Sequence, residues 1–214
     1  MPGLEIGKFY SQILNVVTSN LKLSCDDKSL TELMRLVTEL AEEEANRSIS
    51  KEERDHMDCK EGCCICCRVH VPVLRPEALR IKHYLAENLN EQEQNELLAK
   101  MKKMCIEIRC LDEIERIFVN KKCVFLGSNG QCTIYPVRPL LCRSVTSADA
   151  DACKESISMI ALDQDRSIPM NIKQKSIYDT AFKALADGLD QYGISSKSRE
   201  ITGGVLLEID PMKI

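Results

Sequence analysis

Apolar residues recur at helical spacing at both ends of the chain. Ile6, Phe9, Tyr10, Ile13, Val17 and Leu21 form one stripe, and Leu30, Leu33, Met34, Val37, Leu40 and Ala41 a second, so the pattern predicts two helices or a helical hairpin. Ser29-Leu30-Thr31-Glu32 has the form of a capping box, in which a hydroxyl accepts from the third amide and the glutamate reaches back. The charged run from Glu42 to Asp58 lacks glycine and proline and extends the second helix toward Cys59 as a solvated face. Val69-His70-Val71-Pro72-Val73 reads as a brief extended piece. Pro76 and Glu77 then open a helix that turns Leu79 and Leu85 inward and loosens at Asn88 to Asn90. A long helix follows, with Leu97, Leu98, Met101, Cys105 and Ile108 on one stripe, and Ile177, Ala181, Phe182, Leu185 and Leu189 predict a last one. No element is assigned beyond Gly193.

The middle of the chain breaks this rhythm. Between Cys123 and Cys142 lie Gly127, Asn129-Gly130, Pro136 and Pro139, a composition of turns. No internal repeat or low-complexity linker divides the sequence. The expected fold is mainly α: a single helical domain with an irregular, cysteine-rich metal-binding centre at 59–153, an N-terminal helical segment at 1–58 and a C-terminal one at 154–214, all in one compact domain.

Composition sets the chemistry. The 214 residues include 12 cysteines, three histidines and no tryptophan, and with 44% hydrophobic residues the chain buries a core without needing disulfides. Its 29 basic against 33 acidic side chains leave a net charge of -4, which argues against a nucleic-acid partner, because that mode needs a basic field. No apolar run approaches the roughly 20 residues that span a bilayer, so no membrane partner is expected. The start, Met1 to Tyr10, lacks the features of a secretory signal; Pro2 rather than glycine follows Met1, and Pro211-Met212-Lys213-Ile214 offers no cysteine for prenylation. The expected location is cytoplasmic, where clustered thiols serve as metal ligands or redox groups rather than structural disulfides.

Five cysteines stand within nine residues in Cys59-Lys-Glu-Gly-Cys63-Cys64-Ile-Cys66-Cys67, and four more are spread as Cys123, Cys132, Cys142 and Cys153. Thiolates are soft ligands, and cysteines a few residues apart in a tight loop can point at one ion or cluster. Gly62 and Gly130 let the backbone take positive φ beside Cys63 and Cys132. Neighbouring side chains diverge, so Cys66 and Cys67 suit two different centres. The pairs Cys63-x-x-Cys66 and Cys64-x-x-Cys67 also have the form of dithiol redox motifs, but those belong between a strand and a helix of an α/β fold that is not predicted here. The spacing Cys59-x3-Cys63-x2-Cys66 matches the cluster loop of radical S-adenosylmethionine enzymes, whose barrel the chain does not offer. His70, alone between valines, reads as packed or solvated. Arg138 and Arg143 flank Cys142, where a guanidinium either offsets the charge of a thiolate centre and donates to sulfur or pairs with a nearby carboxylate.

Cys59-x3-Cys63-x2-Cys66-Cys67, Cys123-Val-Phe-Leu, Gly130-Gln131-Cys132-Thr133-Ile134-Tyr135 and Arg138-Pro139-Leu140-Leu141-Cys142-Arg143 together resemble the zinc- or iron-chelating cysteine-cluster family called YkgJ-like or CxxCxxCC. The resemblance runs from about Cys59 to Cys153 and takes in the valine-rich piece and Pro-Glu helix start at Val69 to Ala78. It implies eight metal ligands: Cys59, Cys63, Cys66, Cys67, Cys123, Cys132, Cys142 and Cys153. Cys64 departs from the pattern where glycine is more usual, and Arg75 where a capping hydroxyl is. The flagellin lysine N-methylases share the cysteine pattern and are associated with an iron-sulfur cluster, which tilts the expected cofactor toward iron, as [4Fe-4S], with zinc as the alternative. Eight thiolates divide as four plus four, which fits two zinc sites, two clusters, or one cluster with ligands in reserve. Cys25, Cys105 and Cys110 fall outside the pattern, Cys105 as a small core residue.

The expected function is therefore metal binding through a cysteine cluster. Two further readings stay open: an iron-sulfur-dependent enzyme such as a protein lysine methyltransferase, acting on a protein not identifiable from the sequence, and a thiol redox sensor. No glycine-rich nucleotide loop and no nucleophile elbow support an enzyme.

Overall fold

The computed structural model describes residues 5–160 and 167–211. Parts of both ends consulted for targeting signals, 1–4 and 212–214, lie outside the described residues. The elements are α1 (Ile6–Leu21), α2 (Asp27–Ser48), α3 (Lys51–Asp55), β1 (Pro72–Val73), α4 (Arg75–Asn88), α5 (Glu91–Ile108), α6 (Glu113–Phe118), α7 (Leu140–Ser144), α8 (Ala150–Ile160), α9 (Ile172–Gln191), β2 (Arg199–Glu200) and α10 (Ile201–Ile209). The fold is mainly α, as the periodicity predicts. Among the described residues no helix is long and apolar enough to cross a membrane.

The two terminal regions build one core together. Phe9, Ile13, Val17 and Leu21 of α1 pack against α9 and α2, and the predicted stripe Ile177, Ala181, Leu185 and Leu189 is buried on α9. Two boundaries differ from expectation. The N-cap of α2 is Asp26, whose carboxylate accepts from the Ser29 amide at 2.8 Å, so the helix starts one turn before the Ser29 capping box. The charged continuation toward Cys59 is broken at buried Ile49, because Ser50 starts α3 with a capping box of its own: Glu53 N–H donates to Ser50 Oγ, and Ser50 N–H to Glu53 Oε2.

A second core lies beside the cysteine loops. It joins Val73, Ala78, Ile81, Leu85 and Met101 to Phe125 and Ile134 of the turn region and to Ile201, Val205 and Leu206 of α10. The tail beyond Gly193 thus carries structure: β2 pairs antiparallel with β1, Pro72 opposite Glu200, and α10 closes over α4 and α5. The signal was weak because β2 is two residues long and α10 contains Gly203-Gly204.

Glu77 connects the helical frame to the cysteine region. It is buried on α4; Leu74 N–H donates to one of its oxygens and Leu140 N–H, at the start of α7, to the other, both at 2.8 Å. That second bond fixes the segment carrying Cys142. Burial raises the Glu77 carboxyl from the ordinary 4.5 to about 7, the two amides opposing. The folded protein therefore keeps this proton across an interval in which the unfolded chain has lost it. Stability from this group is full below about 4.5 and is lost as pH rises through about 7. In urea unfolding, Glu77→Gln should be less stable than wild type by about 1 kcal/mol at low pH, having lost one amide bond, and the order should invert by pH 8, because wild type loses stability through the titration of Glu77 and the amide does not. Parallel curves across that range would show that Glu77 does not titrate as described.

Candidate metal centre

Local hydrogen bonds fold the cysteine-rich loop into tight turns: Cys63 N–H donates to Lys60 O, Cys67 N–H to Cys64 O and Val69 N–H to Cys66 O. Gly62 and Gly130 take φ of 92° and 79°, the left-handed turns expected beside Cys63 and Cys132. Long-range bonds then gather the distant cysteines. Cys123 N–H donates to Cys67 O at 2.7 Å, and Thr133 N–H to Phe125 O at 2.8 Å, which folds 123–134 back on itself and brings Cys132 beside Cys123. The amides of Asp58 and Cys59 both donate to Ser147 O, Ser147 N–H donates to Cys59 Sγ at 3.2 Å, and Ala150 N–H donates to Asp58 Oδ2. These last bonds set α8, with Cys153, against Cys59.

Two neighbourhoods result. Cys67 lies within electrostatic reach of Cys66, Cys123 and Cys132, and Cys142 of Cys123, Cys66 and Cys132. Cys59 is within reach of Cys63, Cys66 and Cys153. The eight pattern cysteines thus fall into Cys67, Cys123, Cys132 and Cys142 on one side and Cys59, Cys63 and Cys153 on the other, with Cys66 between. Cys63, Cys66, Cys67, Cys123, Cys132 and Cys142 line one cavity of about 80 Å³, whose apolar wall includes Val69, Val71, Leu141 and Ile201. Among the described residues no three Cys, His, Asp or Glu side chains already stand in an arrangement that holds a single ion. The thiols surround a space rather than a point.

The thiols are strongly perturbed. Burial pushes Cys123 up to about 12, with the Phe125 amide opposing, and also raises Cys132, opposed by the Ile134 amide. In both, the opposing amide belongs to the residue two further on, a turn that aims N–H at sulfur and favours the thiolate a metal needs. Burial raises Cys142 and Cys59 as well. Cys66 is held low, chiefly by a hydrogen bond from the Cys67 thiol and then by Arg138; the same bond raises Cys67, so the pair gives up one proton easily and the second with difficulty.

Of the two arginines singled out in the sequence, Arg138 faces the cavity. Its guanidinium lies 4.8 Å from the Tyr135 ring centroid, and Nη2 donates to Cys142 O. Arg143 is absent from the cavity wall. Its Nη1 pairs with Glu42 at 2.5 Å, Nε donates to Arg138 O and Nη2 to Pro136 O, so it braces the motif from outside while its charge still reaches Cys132. Sequence reasoning missed Arg116, which also lies in the cavity wall. Nothing in Glu113-Ile114-Glu115-Arg116-Ile117-Phe118 distinguishes a buried arginine from a solvated one. Cys64 joins neither neighbourhood, Cys25 and Cys110 are exposed, and Cys105 packs on the second core, its thiol pushed up to about 11 by burial.

The donor set fits a thiolate-bound metal: soft sulfur, amides aimed at sulfur, and cations in the wall. No curated protein and no solved structure matches the chain. Residues 58–167 match the CxxCxxCC family, described as a zinc- or iron-chelating domain. The matched stretch covers half of the chain and contains all eight pattern cysteines. The chain belongs to this CxxCxxCC family.

Proposed function

We propose that the protein holds iron-sulfur clusters through two sets of thiolates, Cys67, Cys123, Cys132 and Cys142 in the first and Cys59, Cys63, Cys66 and Cys153 in the second. The observation that supports this reading is the cavity: six thiols, all four of the first set with Cys63 and Cys66 of the second, line one space of about 80 Å³. A structural zinc site needs four sulfurs each about 2.3 Å from a single centre. A cluster of irons and sulfides is an extended body, and its ligands stand around it. Cys66 touches both neighbourhoods, hydrogen-bonding Cys67 and lying within reach of Cys132 and Cys142 as well as Cys59, and its place in the second set follows from the need for a fourth thiolate beside Cys59, Cys63 and Cys153.

When bound, such a cluster supplies one-electron chemistry or a structural cross-link. The chain's own groups prepare for it. The Phe125, Ile134 and Ser147 amides stabilise thiolates at Cys123, Cys132 and Cys59, Arg138 adds positive charge beside Cys66, Cys132 and Cys142, and the apolar wall limits water.

Anaerobic purification followed by iron, sulfide and zinc quantification with an absorption spectrum tests this directly. The expected product is brown, with iron and acid-labile sulfide in equal amounts. A colourless protein with about two zinc ions, one per four thiolates, would overturn the cluster assignment. Serine at Cys132 or Cys142 should remove about half of the metal, as should serine at Cys59 or Cys153, because each set of four thiolates holds its own centre. Serine at Cys25 or Cys105 should leave metal content unchanged, and equal losses from the two kinds of variant would sink the ligand assignment.

A further inference from the structure

Helix α6 is inside out. Ile114 and Phe118 are 55% and 53% exposed, while Arg116, between them in sequence, is 2% exposed. An arginine is turned inward where an isoleucine or phenylalanine would bury at no electrostatic cost. Its Nη2 pairs with Glu200 Oε1 at 3.0 Å, but Nε and Nη1 are buried with no acceptor. Among the described residues four buried side-chain polar atoms lack a partner, and three are guanidinium nitrogens in this one cavity wall: Arg116 Nε and Nη1 and Arg138 Nε. Buried donors are costly when unmet, so a cluster of them marks where an acceptor belongs.

Glu200 does not answer that need. It is engaged as the N-cap of α10, accepting from the Thr202 and Gly203 amides while it pairs with Arg116. It holds one edge of the guanidinium and leaves Nε and Nη1 without an acceptor in the wall of the thiol-lined space. Glu200 and Ile201 also lie beyond the matched residues 58–167, so the C-terminal segment of this chain completes the cavity from outside the family domain.

Resting on the reading that this cavity holds a metal–thiolate centre, we propose that Arg116 is the buried counter-cation of that centre, donating through Nε–H and Nη1–H to its sulfur atoms and held in place by Glu200. Four thiolates around a metal or cluster leave a net negative charge in a low-dielectric site, which a guanidinium offsets while satisfying its own donors. Without metal the same residue is a burden on the fold. Arg116 therefore acts in opposite directions on the two states, weakening the metal-free protein and strengthening the loaded one.

The test uses the reduced, metal-free full chain titrated anaerobically with Co(II), a chromophoric probe of thiolate coordination, in wild type, Arg116→Met and Arg116→Lys. Arg116→Met should bind Co(II) about 10- to 100-fold more weakly, with the sulfur-to-cobalt charge-transfer band moved to lower energy, yet its metal-free form should melt at a higher temperature than wild type. Arg116→Lys, which keeps the charge and loses the fork of donors, should fall between them in affinity. If Arg116→Met does not fold, Arg116→Lys carries the comparison, and wild-type affinity and band position in that variant would refute the donor role. Unchanged affinity in Arg116→Met with normal wild-type uptake overturns this proposal alone, as does a wild-type-only stabilisation by sulfate, which would assign the donors to a free oxyanion. Wild type that takes up neither Co(II) nor, on anaerobic addition of ferrous iron and sulfide, a coloured cluster overturns the metal reading and this proposal with it; where only the cluster forms, its uptake by Arg116→Met and Arg116→Lys is compared in place of Co(II) affinity.

Discussion

A thiol withdrawn from water keeps its proton unless positive charge or hydrogen-bond donors favour the thiolate, and the centre of this molecule is arranged around that constraint. Burial, reinforced by the neighbouring thiols, raises Cys59, Cys123, Cys132 and Cys142. Opposing it are three amides aimed at sulfur, the charge of Arg138 near Cys66, Cys132 and Cys142, and that of Arg116 near Cys123. None of these suffices to ionise the whole set. A metal does, because it binds the thiolate and releases the proton.

The surrounding fold positions these opposing groups. The α1, α2 and α9 core supplies rigidity, and α7, which carries Cys142, packs on α9. Glu77 pins the start of α7 to α4, and Arg143 ties the same motif to Glu42 on α2. The second core supports the 123–134 turn through Phe125 and Ile134, directly beside Cys123 and Cys132. Helix α10 reaches the cavity through Ile201, and its cap Glu200 orients Arg116. Elements far apart in sequence therefore meet at one place, and each contributes a thiol, a charge or the packing that holds them.

The helical stripes were legible because the period of 3.6 survives in α1, α2 and α9, whose apolar faces pack in the main core. The eight-cysteine pattern was legible through its resemblance to the family that the chain belongs to, and the positive φ of Gly62 and Gly130 from the need for tight turns. What escaped was set by tertiary contact. The start of α2 depends on Asp26 outcompeting Ser29 as a cap, β2 exists only because β1 lies beside it, and Arg143 pairs with a carboxylate 101 residues away. Arg116 was least legible, because its burial contradicts both the propensity of the residue and the polarity of its own helix. Such local contradictions concentrate at functional sites, where the chain gives up stability for chemistry.

X-ray absorption at the metal edge of the anaerobically purified protein addresses the central claim, that these thiols enclose an extended metal–sulfur body. The expected result is iron bonded directly to sulfur alone, with a metal–metal scattering contribution beyond it. A first shell of nitrogen or oxygen would contradict cysteine ligation, and an all-sulfur shell around isolated zinc, without metal–metal scattering, would contradict the cluster.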